Sequence, residues 1–254
     1  MQLNYETHGD PARPALLLLH GFMSCNGQWR ANIDALTERY FLVLVELWGH
    51  GDSPLPDDES QYSLAAYFQQ FETLRAKLGI AQWALIGQSY GAGIMLNYAK
   101  AYPDVCTAVV ATNSRSAFGT LLEDNSDRRS QDRTPQTTPT DLRKLPYHPI
   151  HARRFPAEIK AELVRKADAM QAAAVHLGGL LGRDLNCRKL LETFSVPLLI
   201  TNGKYEKTFQ DDLAALRERV ADLNVADLEG GHSVNIEAAT GFNEAVLEFL
   251  ESIQ

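Results

Sequence analysis

Six short apolar runs, each closed by turn residues and most of them separated by helical patterns, leave this chain few folds to choose from. They are Ala15 to His20, Phe41 to Glu46, Trp83 to Gln88, Cys106 to Thr112, Val196 to Asn202 and Leu223 to Leu228. Runs without polar alternation read as strands buried on both faces, which in a globular chain means a parallel sheet under helices. Between two of them Ser63 is placed to cap a helix. Leu64, Tyr67, Phe68, Phe71, Leu74 and Leu78 follow at three- and four-residue steps, the stripe of a helix lying on that sheet. The expectation is an α/β fold: a mostly parallel sheet covered by helices on both faces, with ligands at the carboxyl ends of the strands. With 254 residues, 45% of them hydrophobic, the chain can bury one large core, so residues 1–254 are read as one domain.

The rhythm breaks between Arg115 and Glu192. Here a polar stretch with Pro135, Pro139, Pro146 and Pro149 leads into a helical segment from Pro156 to about Val175. Residues 115–192 are read as an inserted helical lid, with a mobile lid loop around Ser130 to Thr140. This insertion carries 14 Lys and Arg against 10 acids, whereas the rest of the chain carries 10 against 22. One hypothesis is that some of Arg115, Arg128, Arg129, Arg153 and Arg154 draw in a substrate bearing a carboxylate or phosphate. The alternative is a solvated helical face built from Lys160, Arg165 and Lys166 with intervening acids. Met170, Val175, Leu177, Leu180 and Leu181 fit either the acyl side of a pocket or plain core packing.

A formal net charge of −8 disfavours nucleic acid and anionic membranes as partners and leaves a small molecule as the expected one. Ala15 to Leu19 is far too short to span a bilayer, and nothing before it resembles an export signal. Cys25, Cys106 and Cys187 are odd in number and lack metal-ligand spacing, so neither a disulfide framework nor a metal site is expected and a reducing cytoplasm fits best.

The chemistry concentrates at Gly87-Gln88-Ser89-Tyr90-Gly91, a G-x-S-x-G run placed after a strand and before the helical run Ala92 to Ala101. A turn this sharp forces its central residue into a strained conformation, and the flanking glycines avoid collisions with neighbouring backbone. Ser89 is thereby presented as a nucleophile. The following helix turns its positive end toward it, so the Tyr90 amide is one oxyanion donor. The loop after the first apolar run, His20-Gly21-Phe22, is placed to supply the second through the Phe22 amide.

Together, His20-Gly21-Phe22, Gly49-His50-Gly51-Asp52-Ser53, Gly87 to Gly91 and Gly230-Gly231-His232 resemble the α/β-hydrolase superfamily in order and spacing over nearly the whole chain. The resemblance implies that fold, a lid after the sixth strand of the core sheet, and a nucleophile, acid and histidine arriving in that order. His232, in the loop before the helical run Ala238 to Ile253, falls where such proteins carry the catalytic base. The acid departs from the usual pattern, since Glu206 occupies a slot that relatives fill with Asp. Asp211 and Asp212 are fallbacks, and Asn113, Ser114 and Arg115 leave no acid after the strand Cys106 to Thr112. A second departure is Glu46-Leu47-Trp48, where relatives carry Asp and then Pro. Trp48 is either a substrate contact or packed.

A Ser89-Glu206-His232 triad implies hydrolysis of an ester or related acyl bond of a small, in one version acidic, molecule through an acyl-enzyme, with no cofactor. A serine nucleophile argues against epoxide hydrolase or haloalkane dehalogenase chemistry, for which relatives use Asp at the elbow. Alternatives within the fold are a carbon-carbon bond hydrolase, a perhydrolase, or a lyase like the menaquinone-pathway SHCHC synthase. That lyase family carries an Arg shortly after its nucleophile, absent from Ser89-Tyr90-Gly91-Ala92-Gly93. From another class comes a small-ligand receptor with little turnover.

Overall fold

A computed structural model describes residues 1–120, 141–220 and 222–253 of the chain; Arg128, Arg129 and the Ser130 to Thr140 stretch lie outside these described residues. Its strands are β1 (Tyr5–His8), β2 (Ala15–Leu19), β3 (Phe41–Val45), β4 (Trp83–Gly87), β5 (Cys106–Thr112), β6 (Leu198–Gly203) and β7 (Asn224–Leu228). They form one seven-stranded sheet in the order β1-β3-β2-β4-β5-β6-β7. Every neighbouring pair is parallel except β1 with β3.

Six of these strands are the six apolar runs, but β7, at the far edge of the sheet, has no buried residue and departs from the expectation of burial on both faces. The seventh, β1, was not expected, because it lies at the sheet edge, is only partly buried and reads Tyr-Glu-Thr-His rather than as an apolar run. The insertion lies between β5 and β6 of the described strands.

Helices cover both faces, as the fold class requires. They are α1 (Ile33–Thr37), α2 (Leu64–Lys77), α3 (Tyr90–Ala101), α4 (Arg115–Phe118), α5 (Ala157–Asp168), α6 (Ala172–Leu181), α7 (Arg188–Leu191), α8 (Lys207–Arg219), α9 (Val234–Glu237) and α10 (Ala239–Ser252). The two-residue period of β2 sorts its side chains between the faces. Leu17 and Leu19 join Tyr67, Phe71 and Leu74 of α2 and Ile94 and Leu96 of α3. Leu16 and Leu18 join Phe242, Val246 and Phe249 of α10 on the other side. Each leucine is wholly buried, worth about 1.5–3 kcal/mol apiece against exposure. The expected cap of α2 forms, with Ser63 Oγ accepting from Ala66 N–H at 3.3 Å.

Where one helix was expected from Pro156 to about Val175, two occur, α5 and α6. The chain breaks at Gln171, whose backbone is extended, and Met170 turns inward to pack with Met23, Ala167 and Ala174. Burying that side chain outweighs one continuous helix. Leu177 and Leu181 join the main core, with Leu180 against its edge, and Val175 packs on the smaller cluster around Met170. Of the two readings left open for these apolar residues, packing accounts for all five.

Candidate active site

The sheet order reverses at β2: the chain leaves it first for β3 on one side and then for β4 on the other. Loops at the carboxyl ends of strands flanking such a switch point diverge and leave a crevice. Leu19 of β2 pairs with Gly87 of β4, so the His20-Gly21-Phe22 loop and the Ser89 elbow leave the sheet side by side.

Ser89 has φ 51° and ψ −110°, a conformation that costs an ordinary side chain on the order of 1–3 kcal/mol. Its surroundings hold it there. The Ser89 N–H donates to Thr112 Oγ1 of β5 at 3.0 Å, and the Gln88 N–H to Leu19 O at 3.0 Å. A Cβ on Gly87 would lie 2.5 Å from Ala92 Cα, and one on Gly91 would lie 2.4 Å from Leu19 O. Only glycine fits at either position. The twelve-residue α3 begins directly after Ser89, and among the described residues nothing accepts from the Tyr90 or Phe22 amide. Met23 supplies a second positive φ, 56°, in the turn after Phe22. His20 braces this turn from beneath, its Nδ1 2.7 Å from Gly21 O and its Nε2 accepting from Leu47 N–H at 3.2 Å. Burial pulls the His20 pKa down to about 4, so the ring is neutral at pH 7 and can accept.

On the other side of the crevice, Gly203 of β6 pairs with Leu228 of β7, which brings the Glu206 and His232 loops together. Tyr205 N–H donates to Gly230 O at 2.8 Å, and Gly231 N–H to Glu237 Oε2 at 3.0 Å. Both carboxylate oxygens of Glu206 lie 3.0 Å from His232 Nδ1. The sequence-based acid slot and base are thus in contact, with Nε2 left for the serine side. Loss of water around each group favours its neutral form, although the His232 side chain is still about half exposed to the cavity while Glu206 is mostly covered. For His232 it is outweighed by the hydrogen bond and charge of Glu206 and the charge of Glu237, which hold its pKa above the ordinary histidine value. For Glu206 it is outweighed by His232, Asn113 and Arg115, which hold its pKa below the ordinary glutamate value.

Ser89, Glu206 and His232 all line one cavity of about 560 Å³. Core residues Phe22, Met23, Ser24 and Gln28 form one part of its wall. The insertion contributes Tyr147, His148, His151, Phe155 and Leu163. No hydrogen bond joins the Ser89 hydroxyl to His232 among the described residues. The two fallback acids play other parts. Asp211 is exposed, and the buried Asp212 accepts from Thr120 N–H at 2.9 Å and from Arg115 Nε at 3.4 Å.

Of the basic residues singled out, Arg115 lines the cavity and is about half exposed. Arg153 and Arg154 are exposed and do not line it; Arg154 instead pairs with Glu237 at 3.3 Å and lies over the Tyr205 ring at 4.6 Å. Trp48 is corrected as a substrate contact: its ring is wholly buried beside Tyr67 in the core, away from the cavity. The unusual Glu46 is architectural, its carboxylate accepting from Asn4 Nδ2 at 2.8 Å, Asn26 N–H at 3.1 Å and Asp52 N–H at 2.7 Å. Among the described residues no group of three or more His, Cys, Asp and Glu is placed to hold a metal ion. Likewise, no described helix is long and apolar enough to cross a membrane.

Sequence reasoning missed four contributors: Thr112, Asn113, Glu237 and the aromatic pair of Phe22 with Tyr147, whose ring centroids are 5.5 Å apart. Thr112 and Asn113 carried one usable signal, their place immediately at the carboxyl end of a central strand.

Residues 14–239 match the family described as the alpha/beta hydrolase fold, and the chain belongs to that family. Over 102 residues it is 36% identical to bifunctional epoxide hydrolase 2 of Sus scrofa, an alignment covering 40% of this chain and 18% of that protein. The chain therefore matches less than a fifth of that relative's length. Among solved structures, it is similar to the enol-lactonase from Burkholderia xenovorans LB400, with TM-score 0.77, 21% identity, and coverage of 98% and 96% of the two chains. It is also similar to a thermophilic esterase from Thermogutta terrifontis, with TM-score 0.78, 19% identity, and coverage of 99% and 93%. At these identities the structural likeness establishes the fold.

Proposed function

We propose that this protein is a serine hydrolase that cleaves an ester or related acyl bond of a small molecule through an acyl-enzyme. The observation that carries the reading is the shared cavity. Ser89 stands at a strained elbow beside two amides with no acceptor among the described residues, and His232 is held by Glu206 through Nδ1 across from it. With substrate bound, the Ser89 hydroxyl oxygen attacks the carbonyl carbon and its proton passes to His232 Nε2, a contact that tightens when the site is filled. The oxyanion accepts hydrogen bonds from the Phe22 and Tyr90 amides. Collapse breaks the bond to the leaving group, which takes the proton from His232. Water then repeats the sequence to free the acid and restore Ser89. Glu206 keeps the imidazole tautomer and stabilises the imidazolium.

The similarity to an esterase and an enol-lactonase supports acyl hydrolysis at the level of fold, and the similarity to an epoxide hydrolase supports hydrolysis more broadly. Attack on an epoxide by the family's route needs a carboxylate at the elbow, where this chain has Ser89. For the substrate, the reading includes an acidic group. Arg115 lines the cavity, and among the described residues its side chain makes one hydrogen bond, Nε to Asp212 at 3.4 Å, so the far edge of the guanidinium is placed to pair with a carboxylate.

The test is hydrolysis of p-nitrophenyl esters of increasing acyl length by wild type and Ser89→Ala, with an aryl epoxide as a control. Turnover of esters by wild type alone, with the epoxide untouched, supports the reading, and the length profile sizes the cavity. Equal rates for the two proteins would reject ester hydrolysis and bring the lyase or receptor readings forward.

A further inference from the structure

Strands β5 and β6 are neighbours, and Asn113, the first residue after β5, meets the end of β6. Its side chain is wholly buried and fully used. Oδ1 accepts from Gly203 N–H at 2.7 Å, while Nδ2 donates to Gly203 O at 3.1 Å and to Glu206 Oε2 at 2.7 Å. This pattern fixes which way the amide points, because only its oxygen can accept and only its nitrogen can donate twice. One face of the amide is thus tied to the backbone from which the Glu206 loop departs, and its last proton goes to the carboxylate itself.

The need for such a contact follows from the acid. A glutamate carries one more rotatable bond than an aspartate, so its carboxylate sweeps a larger volume unless something besides the histidine holds it. The donors to the Glu206 carboxylate among the described residues are His232 Nδ1 and Asn113 Nδ2. We propose that Asn113 is a positioning residue for the triad, a buried donor that pins the long Glu206 side chain so that its carboxylate meets His232 in one orientation. The proposal rests on the triad reading above, and it makes the carboxyl end of β5 a supporting post for an acid supplied by β6.

The deciding measurement is the His232 imidazole titration by NMR, with ester turnover recorded beside it, in wild type, Asn113→Asp, Asn113→Ala, Glu206→Ala and the Asn113→Ala/Glu206→Ala double variant. Asn113→Asp retains an acceptor for Gly203 N–H but sets a second carboxyl against Glu206, where the two cannot both ionise freely, so a shared proton replaces the Asn113 donor and the His232 titration moves from its wild-type position. Asn113→Ala shifts the titration and lowers kcat about 10-fold, with KM held within about twofold, and both effects disappear on the Glu206→Ala background. A merely architectural role at the end of β6 gives a different result: equal losses of kcat and Tm on both backgrounds and an unmoved titration, which would overturn the proposal. Should Asn113→Asp fail to fold, the alanine pair decides. The titration needs no substrate, so wild type that turns over no ester would sink the hydrolase reading alone, while the NMR result still judges Asn113.

Discussion

Two regions build this cavity by different means. The core presents Ser89, Glu206 and His232 from loops at the carboxyl ends of three strands, and buried polar contacts from Thr112, Asn113 and Gly203 fix those loops. The insertion presents its wall from turns and one face of α5. The ion pair of Arg143 with Asp168 at 2.6 Å braces it internally, and it meets the core through ion pairs of Lys166 with Asp52 at 2.6 Å, Arg30 with Glu162 at 3.3 Å and Arg154 with Glu237 at 3.3 Å, beside the buried hydrogen bond from the Tyr90 hydroxyl to Gly178 O at 2.9 Å. Exposed pairs of this kind are worth about 0–1 kcal/mol each, whereas an unmade buried hydrogen bond costs about 1–3 kcal/mol. On the proposed function, this difference puts catalytic geometry in the core and selectivity in the insertion. Core substitutions should therefore act on kcat and insertion substitutions on KM.

The largest effect should come from Ser89→Ala or His232→Ala, each lowering kcat about 10⁴-fold or more in a steady-state ester assay, since each removes a group that acts in the bond-breaking step itself. Next is Glu206→Gln, which removes the charge and invites the wrong histidine tautomer. A loss of about 10²–10⁴-fold in kcat with little change in KM is expected. The same variant sharpens the electrostatic account. In wild type, kcat/KM should rise with pH through a pKa above the ordinary histidine value of 6.5, because His232 must be neutral to accept the serine proton and Glu206 and Glu237 favour its charged form. Without the Glu206 charge that acid limb should move to lower pH. An unmoved limb would show that Glu206 does not set the base.

On the insertion side, Arg115→Gln should raise KM about 10-fold for a substrate with a free carboxylate and leave its methyl ester unchanged, as measured by paired kinetics. A loss of kcat on both substrates would instead place Arg115 with the core machinery, through its effect on Glu206. The smallest effect belongs to Arg154→Ala, which breaks an exposed pair. It should change kcat/KM less than about threefold and lower stability by no more than about 1 kcal/mol by denaturant titration.

Much of this was legible in the residues themselves. Strands buried on both faces announce themselves as apolar runs, and the elbow announces itself because close backbone approach admits only glycine at positions 87 and 91. Ser89 could be placed from its G-x-S-x-G elbow, and Glu206 and His232 from the resemblance to the α/β-hydrolase superfamily. What stayed hidden depends on contacts between distant segments. Nothing in Asn-Ser-Arg at 113–115 indicates that the asparagine reaches Gly203, ninety residues on in the sequence. The edge strand β1 is half solvated and lacks the apolar signature. The break at Gln171 follows from burying Met170, and Trp48 was ambiguous because a large aromatic near a strand end looks the same whether it faces a cavity or the core.

The central claim is that Ser89 becomes acylated during turnover. The most direct measurement is the intact mass of the protein after a slowly hydrolysed p-nitrophenyl ester is mixed with it and quenched in acid, followed by peptide mapping. The account predicts one added acyl group, on the peptide containing Ser89, with none on Ser89→Ala. Steady ester turnover with no adduct on Ser89, or an adduct that survives Ser89→Ala, would contradict it.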